Sequence, residues 1–150
     1  KYFNDFLSGV TVTGIRGVIQ GTAYNDIIVV PPPDDQEIKK MLSKYEPPLV
    51  ATSDFESRYE LTATKEVVFA GRKRPGVYFG AAIIQSTYVG FYLMSVYADP
   101  KLTKQMPAEL MKTLKGKSCF HIKTLDATLK KQIAEALKMS FEYYKKQGWV

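Results

Sequence analysis

The sequence predicts an α+β fold: an antiparallel sheet of about five strands, with an N-terminal helix, a short helix and a long C-terminal helix packed on it. Three observations carry this. The run Val77 to Tyr97, VYFGAAIIQSTYVGFYLMSVY, is rich in aromatic and β-branched residues and is interrupted by Ser86 and Thr87, as a hairpin would be. From Asp126 to Gln147, Leu129, Ile133, Ala136, Leu137, Phe141 and Tyr144 recur at helical spacing. Between and before them the elements run helix, strands, short helix, strand, long helix, an order that segregates helices from strands instead of alternating them.

Residues 1 to 33 hold scattered Gly and Thr, few charges and no sustained period. Short β-like runs at Val10 to Thr13 and Ile27 to Val30 make this a poorly defined N-terminal extension, and a chain that opens on Lys1 fits an incomplete start. Pro31, Pro32 and Pro33 stiffen the backbone toward polyproline II, so the domain is expected to run from 34 to 150. Asp34 suits an N-cap with Glu37 three residues on. Ile38, Met41, Leu42 and Tyr45 then mark a helix over Asp35 to Tyr45, stopped by Pro47 and Pro48.

Leu49 to Thr52 and Tyr59 to Thr64 read as strands. In the second, Tyr59, Leu61 and Ala63 share one face and Arg58, Glu60 and Thr62 the other, which favours an antiparallel sheet with a wet side. Val67 to Ala70 and Val77 to Gln85 flank a basic tip, Gly71 to Gly76, with Arg72, Lys73 and Arg74 in water. A two-residue turn at Ser86-Thr87 pairs Gln85 with Tyr88, Ile83 with Gly90 and Ala81 with Tyr92. Because Ile83 and Ile84 point oppositely and both are apolar, this hairpin is expected in the middle of the sheet, covered on both faces. Pro107 starts a short helix containing Leu110, Met111 and Leu114, closed by Gly116, and Cys119 to Lys123 is the last strand. On the final helix, Lys131, Glu135, Lys138, Glu142 and Lys145 are spaced for pairing along its outer face.

A chain of 150 residues buries roughly two thirds of its unfolded surface, enough for one core without staples. The single cysteine excludes an intramolecular disulfide and any multi-cysteine zinc site, which suits a cytoplasmic location. Ile27 to Val30 is too short for a signal-peptide core or a membrane span, so no membrane association is expected. The net charge of +6 is unevenly placed: residues 101 to 150 carry +7 and the first hundred −1. Surface lysine serves solubility as readily as an anionic partner.

Motif by motif, the chemistry is thin. Gly116-Lys117-Ser118 looks like the end of a phosphate-binding loop, but Met111 stands where that loop needs glycine, and the order is helix to strand. Cys119 and His121 share one face of a strand, as a nucleophile and base would, yet His121 is the only histidine. The carboxylates Asp34, Asp35 and Glu37 are explained by the helix start, and the spacing of Asp54, Glu56, Glu60 and Glu66 demands no metal. The tyrosines Tyr78, Tyr88, Tyr92 and Tyr97 would need partners for their hydroxyls if buried, and a small aromatic pocket with polar tips is the local site they suggest.

The ordered segments KKMLSKYEPPLVATSD, YFGAAIIQSTYVGFYLMSVYADP, LKGKSCFHIKTLD and FEYYKKQGW, spanning about residues 36 to 150, resemble the YdhG-like family of small bacterial domains of unknown function. The resemblance implies a single α+β domain without established enzymatic activity, and some relatives are described as frataxin-like iron chaperones. Tyr92 and Ser95 stand where many similar sequences have histidine and proline in a run FHLMPVY.

The expectation is a non-enzymatic module for an unknown small ligand or protein, with a contact surface of Tyr88, Tyr92, Tyr97, Lys117, Ser118 and His121. No catalytic residue, metal ligand or cofactor is assigned, and a monomer or homodimer is expected. Iron-chaperone-like metal handling is the alternative, and nucleic-acid binding through the tip Arg72, Lys73, Arg74, which the absence of a nucleic-acid signature disfavours, is a second.

Overall fold

In the computed structural model residues 35–150 are described, and they run in chain order α1 (Asp35–Ser43), β1 (Val50–Phe55), β2 (Arg58–Ala63), β3 (Val67–Phe69), β4 (Arg72–Arg74), β5 (Val77–Ile84), β6 (Val89–Leu93), α2 (Met94–Ala98), α3 (Pro100–Thr103), α4 (Ala108–Met111), β7 (Leu114–Lys115), β8 (Cys119–Ile122) and α5 (Ala127–Gln147). The β-like runs before Pro31, the triple proline and the Asp34 cap lie outside the described residues.

Six strands form one antiparallel sheet in the order β1-β2-β5-β6-β8-β7, one more than the five expected. The β5–β6 hairpin has the register its two-residue turn dictates, with Ile83 opposite Gly90 and Ala81 opposite Tyr92, and it occupies the centre. β3 departs from expectation. It pairs with β4 in a separate two-stranded ribbon, Phe69 opposite Arg72, so Arg72, Lys73 and Arg74 form a strand instead of a loop tip. The turn is Ala70-Gly71, both at positive φ (53° and 77°), as a tight two-residue hairpin connection requires. The short helix also ends sooner than expected. α4 stops at Met111, Leu114 and Lys115 pair with β8 as an edge strand, and Gly116 (φ 78°) belongs to the β7–β8 turn instead of capping a helix. The expected hairpin run stops being a strand at Met94, so Tyr97 lies on α2.

The helices cover one face of the sheet. A bulge where β5 meets β2, between the pairs Leu61–Gly80 and Thr62–Tyr78, inserts one extra residue and turns Phe79 toward them. There its ring meets Tyr144 edge-on at 5.0 Å, Tyr45 at 6.1 Å and Phe141 at 6.4 Å. The Tyr144 hydroxyl donates to the Tyr78 carbonyl, fastening α5 to the bulge. Leu61, Phe91, Leu93, Phe120 and Ile122 fill the rest of this face, all fully buried. α5 is bounded as the sequence predicts: the Asp126 carboxylate accepts from Leu129 N at 2.8 Å, and Gly148 (φ 75°) ends it. Its buried stripe includes Ser140, whose hydroxyl donates to the Ala136 carbonyl and meets Ser95 at 2.7 Å, so that two buried hydroxyls satisfy one another. The pairing expected along its outer face is mostly absent: among the described residues Lys145 meets Glu142 at 3.6 Å and Lys130 reaches across to Glu37 at 2.7 Å, while Lys131 and Lys138 have no carboxylate within 4 Å.

Candidate functional site

Register and alternation place a second set of side chains on the opposite face. One row crosses the sheet as Glu60, Ala81, Tyr92, Cys119 and Lys115, each opposite the next. The neighbouring row is Arg58, Ile83, Gly90 and His121. Among the described residues, the ring contacts, ion pairs and side-chain hydrogen bonds from the helices to the sheet end on the Phe79 face or on backbone carbonyls, not on the side chains of these rows. Among the described residues the helices therefore cover one side of the hairpin, the side of Phe91 and Leu93. On the other side the Tyr92 ring lies over Gly90; Ala81 and Gly90 are buried there while Tyr78, Tyr88, Tyr92, Cys119 and His121 are half-buried.

The aromatic groups on this face are already in contact. Tyr88 and His121 stack with centroids 3.9 Å apart and planes 13° from parallel. Gly90, beside them, has no side chain for a structural reason: a Cβ there would stand 2.9 Å from Cε1 of the Tyr92 ring, which folds over it. The Cys119 side chain beside Tyr92, with partial burial, pushes the pKa of its hydroxyl up to about 12. Tyr78 is also raised above the usual tyrosine range, chiefly by desolvation and then by Glu60. Arg58 Nε donates to Glu60 at 2.7 Å, so the acid in the first row is neutralised by the base in the second.

The six residues expected to form the site divide accordingly. Tyr88, Tyr92 and His121 come together on this face. Tyr97, 52% exposed on α2, pairs instead with Lys117, whose Nζ stands 5.4 Å from its ring centroid. Lys117 is thus held by a cation–π contact and not by a helix end, as the reading of Gly116 as a helix cap implied. Ser118 contributes backbone, its carbonyl accepting from Leu93 N at 3.1 Å. Cys119 and His121 do share a face, but each is engaged by a different tyrosine. Sequence reasoning left Arg58 and Lys115 out of the site. The alternation in β2 already put Arg58 with Glu60, but only the register across three strands, β2, β5 and β6, carries that face to Tyr92.

Among the described residues no three of His, Cys, Asp and Glu gather as ligands for a metal, and no helix is long and apolar enough to cross a membrane. A concavity of about 720 Å³ lies elsewhere, beside α3 and α5, floored by Leu102, Met139 and Tyr143 and rimmed by Lys101, Lys138, Lys146, Asp99, Glu135 and Glu142. None of the six expected residues lines it. Comparison with family models, curated proteins and solved structures finds no match for this chain.

Proposed function

We propose that the protein is a non-enzymatic binding module of the YdhG-like kind, whose contact surface is the face of its sheet that no described helix covers. The single observation that carries this is the Tyr88–His121 stack, two nearly parallel rings held together by the sheet and left half-buried on a face that no described helix covers. A preformed stack costs little further ordering when a planar group joins it, which is what a binding site requires. The resemblance to a family without established enzymatic activity supports the same reading, as does the engagement of Cys119 and His121 by tyrosines.

The test is amide and side-chain NMR of the full chain with a set of small planar fragments. Shifts concentrated on Tyr88, Gly90, Tyr92 and His121 are expected. Shifts confined to the α3–α5 concavity, or none, contradict the reading. Iron handling remains the alternative carried by the resemblance, and an unchanged thermal midpoint in excess ferrous iron removes it.

A further inference from the structure

We propose that this sheet face docks single-stranded nucleic acid, with bases extending the Tyr88–His121 stack and phosphates meeting the lysines at its β7–β8 edge; the proposal rests on the face being the binding surface. Stacking tolerates any base, because every base has a π-face, and it needs rings whose outer faces are free of helices. A duplex keeps its base faces against one another, so a site that binds by stacking on its rings selects unpaired strands. An antiparallel sheet with helices on one side and aromatic rings on the other is also the arrangement by which sheet-based modules read single strands.

Charge complementarity favours this occupant over an apolar one. From Leu110 to Leu125 the chain holds Lys112, Lys115, Lys117 and Lys123 and no acid. Lys112 is spent on Glu109 at 3.0 Å, but Lys115, Lys117 and Lys123 have no carboxylate within 4 Å among the described residues. Lys115 ends the row that contains Tyr92, Lys117 occupies the β7–β8 turn, and Lys123 directly follows β8, two residues from His121. Three cations with no carboxylate partner among the described residues therefore border the stacked rings. The other basic features fit a polyanion less well. The α3–α5 concavity carries as many carboxylates as lysines, and Arg72 to Arg74 sit on the separate ribbon whose Phe69 packs against Trp149.

The experiment is fluorescence anisotropy of the full chain with a labelled oligothymidylate about a dozen nucleotides long, a length that spans the usual site sizes. Saturable binding is expected, with affinity falling about twentyfold between 50 and 200 mM salt if three phosphates are met. Tyr88→Ala and His121→Ala should each weaken it by about tenfold or more. Tyr88→Leu keeps apolar bulk while removing the flat ring, and should weaken binding equally while its thermal midpoint stays well above the assay temperature. The double variant Lys115→Ala/Lys117→Ala should reduce the slope of log affinity against log salt by about 1.4. The proposal is overturned by no binding at low salt, by equal binding of the matched duplex, by equally effective competition from oligoglutamate, or by affinity that follows Arg72 to Arg74 and ignores Tyr88. If the oligonucleotide fails while planar fragments still shift the Tyr88 and His121 signals, the ligand class is wrong and the face reading survives. If neither moves them, both fall.

Discussion

The two faces of the sheet use the same strand for opposite ends. In β6, Phe91 and Leu93 are fully buried beneath the helices, while Tyr92 and the preceding Tyr88 are half-buried on the other side. The helix-covered face is built of hydrocarbon and ring contacts that exclude water, and the hydroxyls of its buried tyrosines are committed, Tyr144 to a backbone carbonyl and Tyr59 to the Glu46 carboxylate. The face that no described helix covers has rings with polar tips, a thiol, an imidazole and an ion pair, and among the described residues its contacts join side chains of neighbouring strands. Aromatic side chains kept there in a preformed stack point to recognition, whereas those against α5 point to stability.

The contrast is broken most severely at the bulge. Phe79→Ala should cost about 3 to 5 kcal/mol, since the ring is fully buried among three others, and urea unfolding measures it. Second in size is Ser140→Ala, expected to cost about 1 to 3 kcal/mol because it strands the buried Ser95 hydroxyl. Removing both hydroxyls together, in Ser95→Ala/Ser140→Ala, should cost less than the single change, which a double-mutant cycle reads directly.

Alkaline titration separates the faces by a different route. Tyr45, Tyr59, Tyr78, Tyr92, Tyr143 and Tyr144 all have pKa values raised in the folded chain, mainly by burial except at Tyr92, where the Cys119 side chain leads. The unfolded chain loses its tyrosine protons near pH 10 while the folded chain still holds them, so this stability is complete below pH 10 and drains away as pH rises. The thermal midpoint should fall steadily above pH 10. Ultraviolet titration should place Tyr92 near 12 in the native protein, and Gly90→Ala, which forces its ring aside, should move it back toward 10. The smallest effect on folding belongs to the stack itself: Tyr88→Leu should change stability by no more than about 1 kcal/mol, as expected of a half-buried surface position.

Much of the covered face is readable from local signals. Asp126 and Gly148 bracket α5, the stripe from Leu129 to Tyr144 identifies its buried side, and the Ser86-Thr87 turn sets the β5–β6 register. What escapes is set by long-range pairing. The Ala70-Gly71 turn lacks the asparagine or aspartate that usually announces a tight hairpin, so β3 is assigned to the wrong partner. The two isoleucines Ile83 and Ile84 imply two covered faces; in the fold Ile83 lies in a row with Arg58, Gly90 and His121, and among the described residues its neighbours on that face are side chains of adjacent strands. For the same reason Tyr88, Tyr92 and His121 could be grouped by alternation, whereas Tyr97 could not be separated from them without knowing that β6 ends at Leu93.

The central claim is that the Tyr88–His121 face is open in the free protein and closed by its ligand. Covalent footprinting by hydroxyl radicals, read by mass spectrometry on the full chain with and without oligothymidylate, tests it directly. Tyr88 and His121 should be modified readily in the free protein while Tyr144 is spared, and both should become protected at saturating oligonucleotide. Tyr88 and His121 that are already protected in the free protein, or that react equally in both samples, would contradict the account.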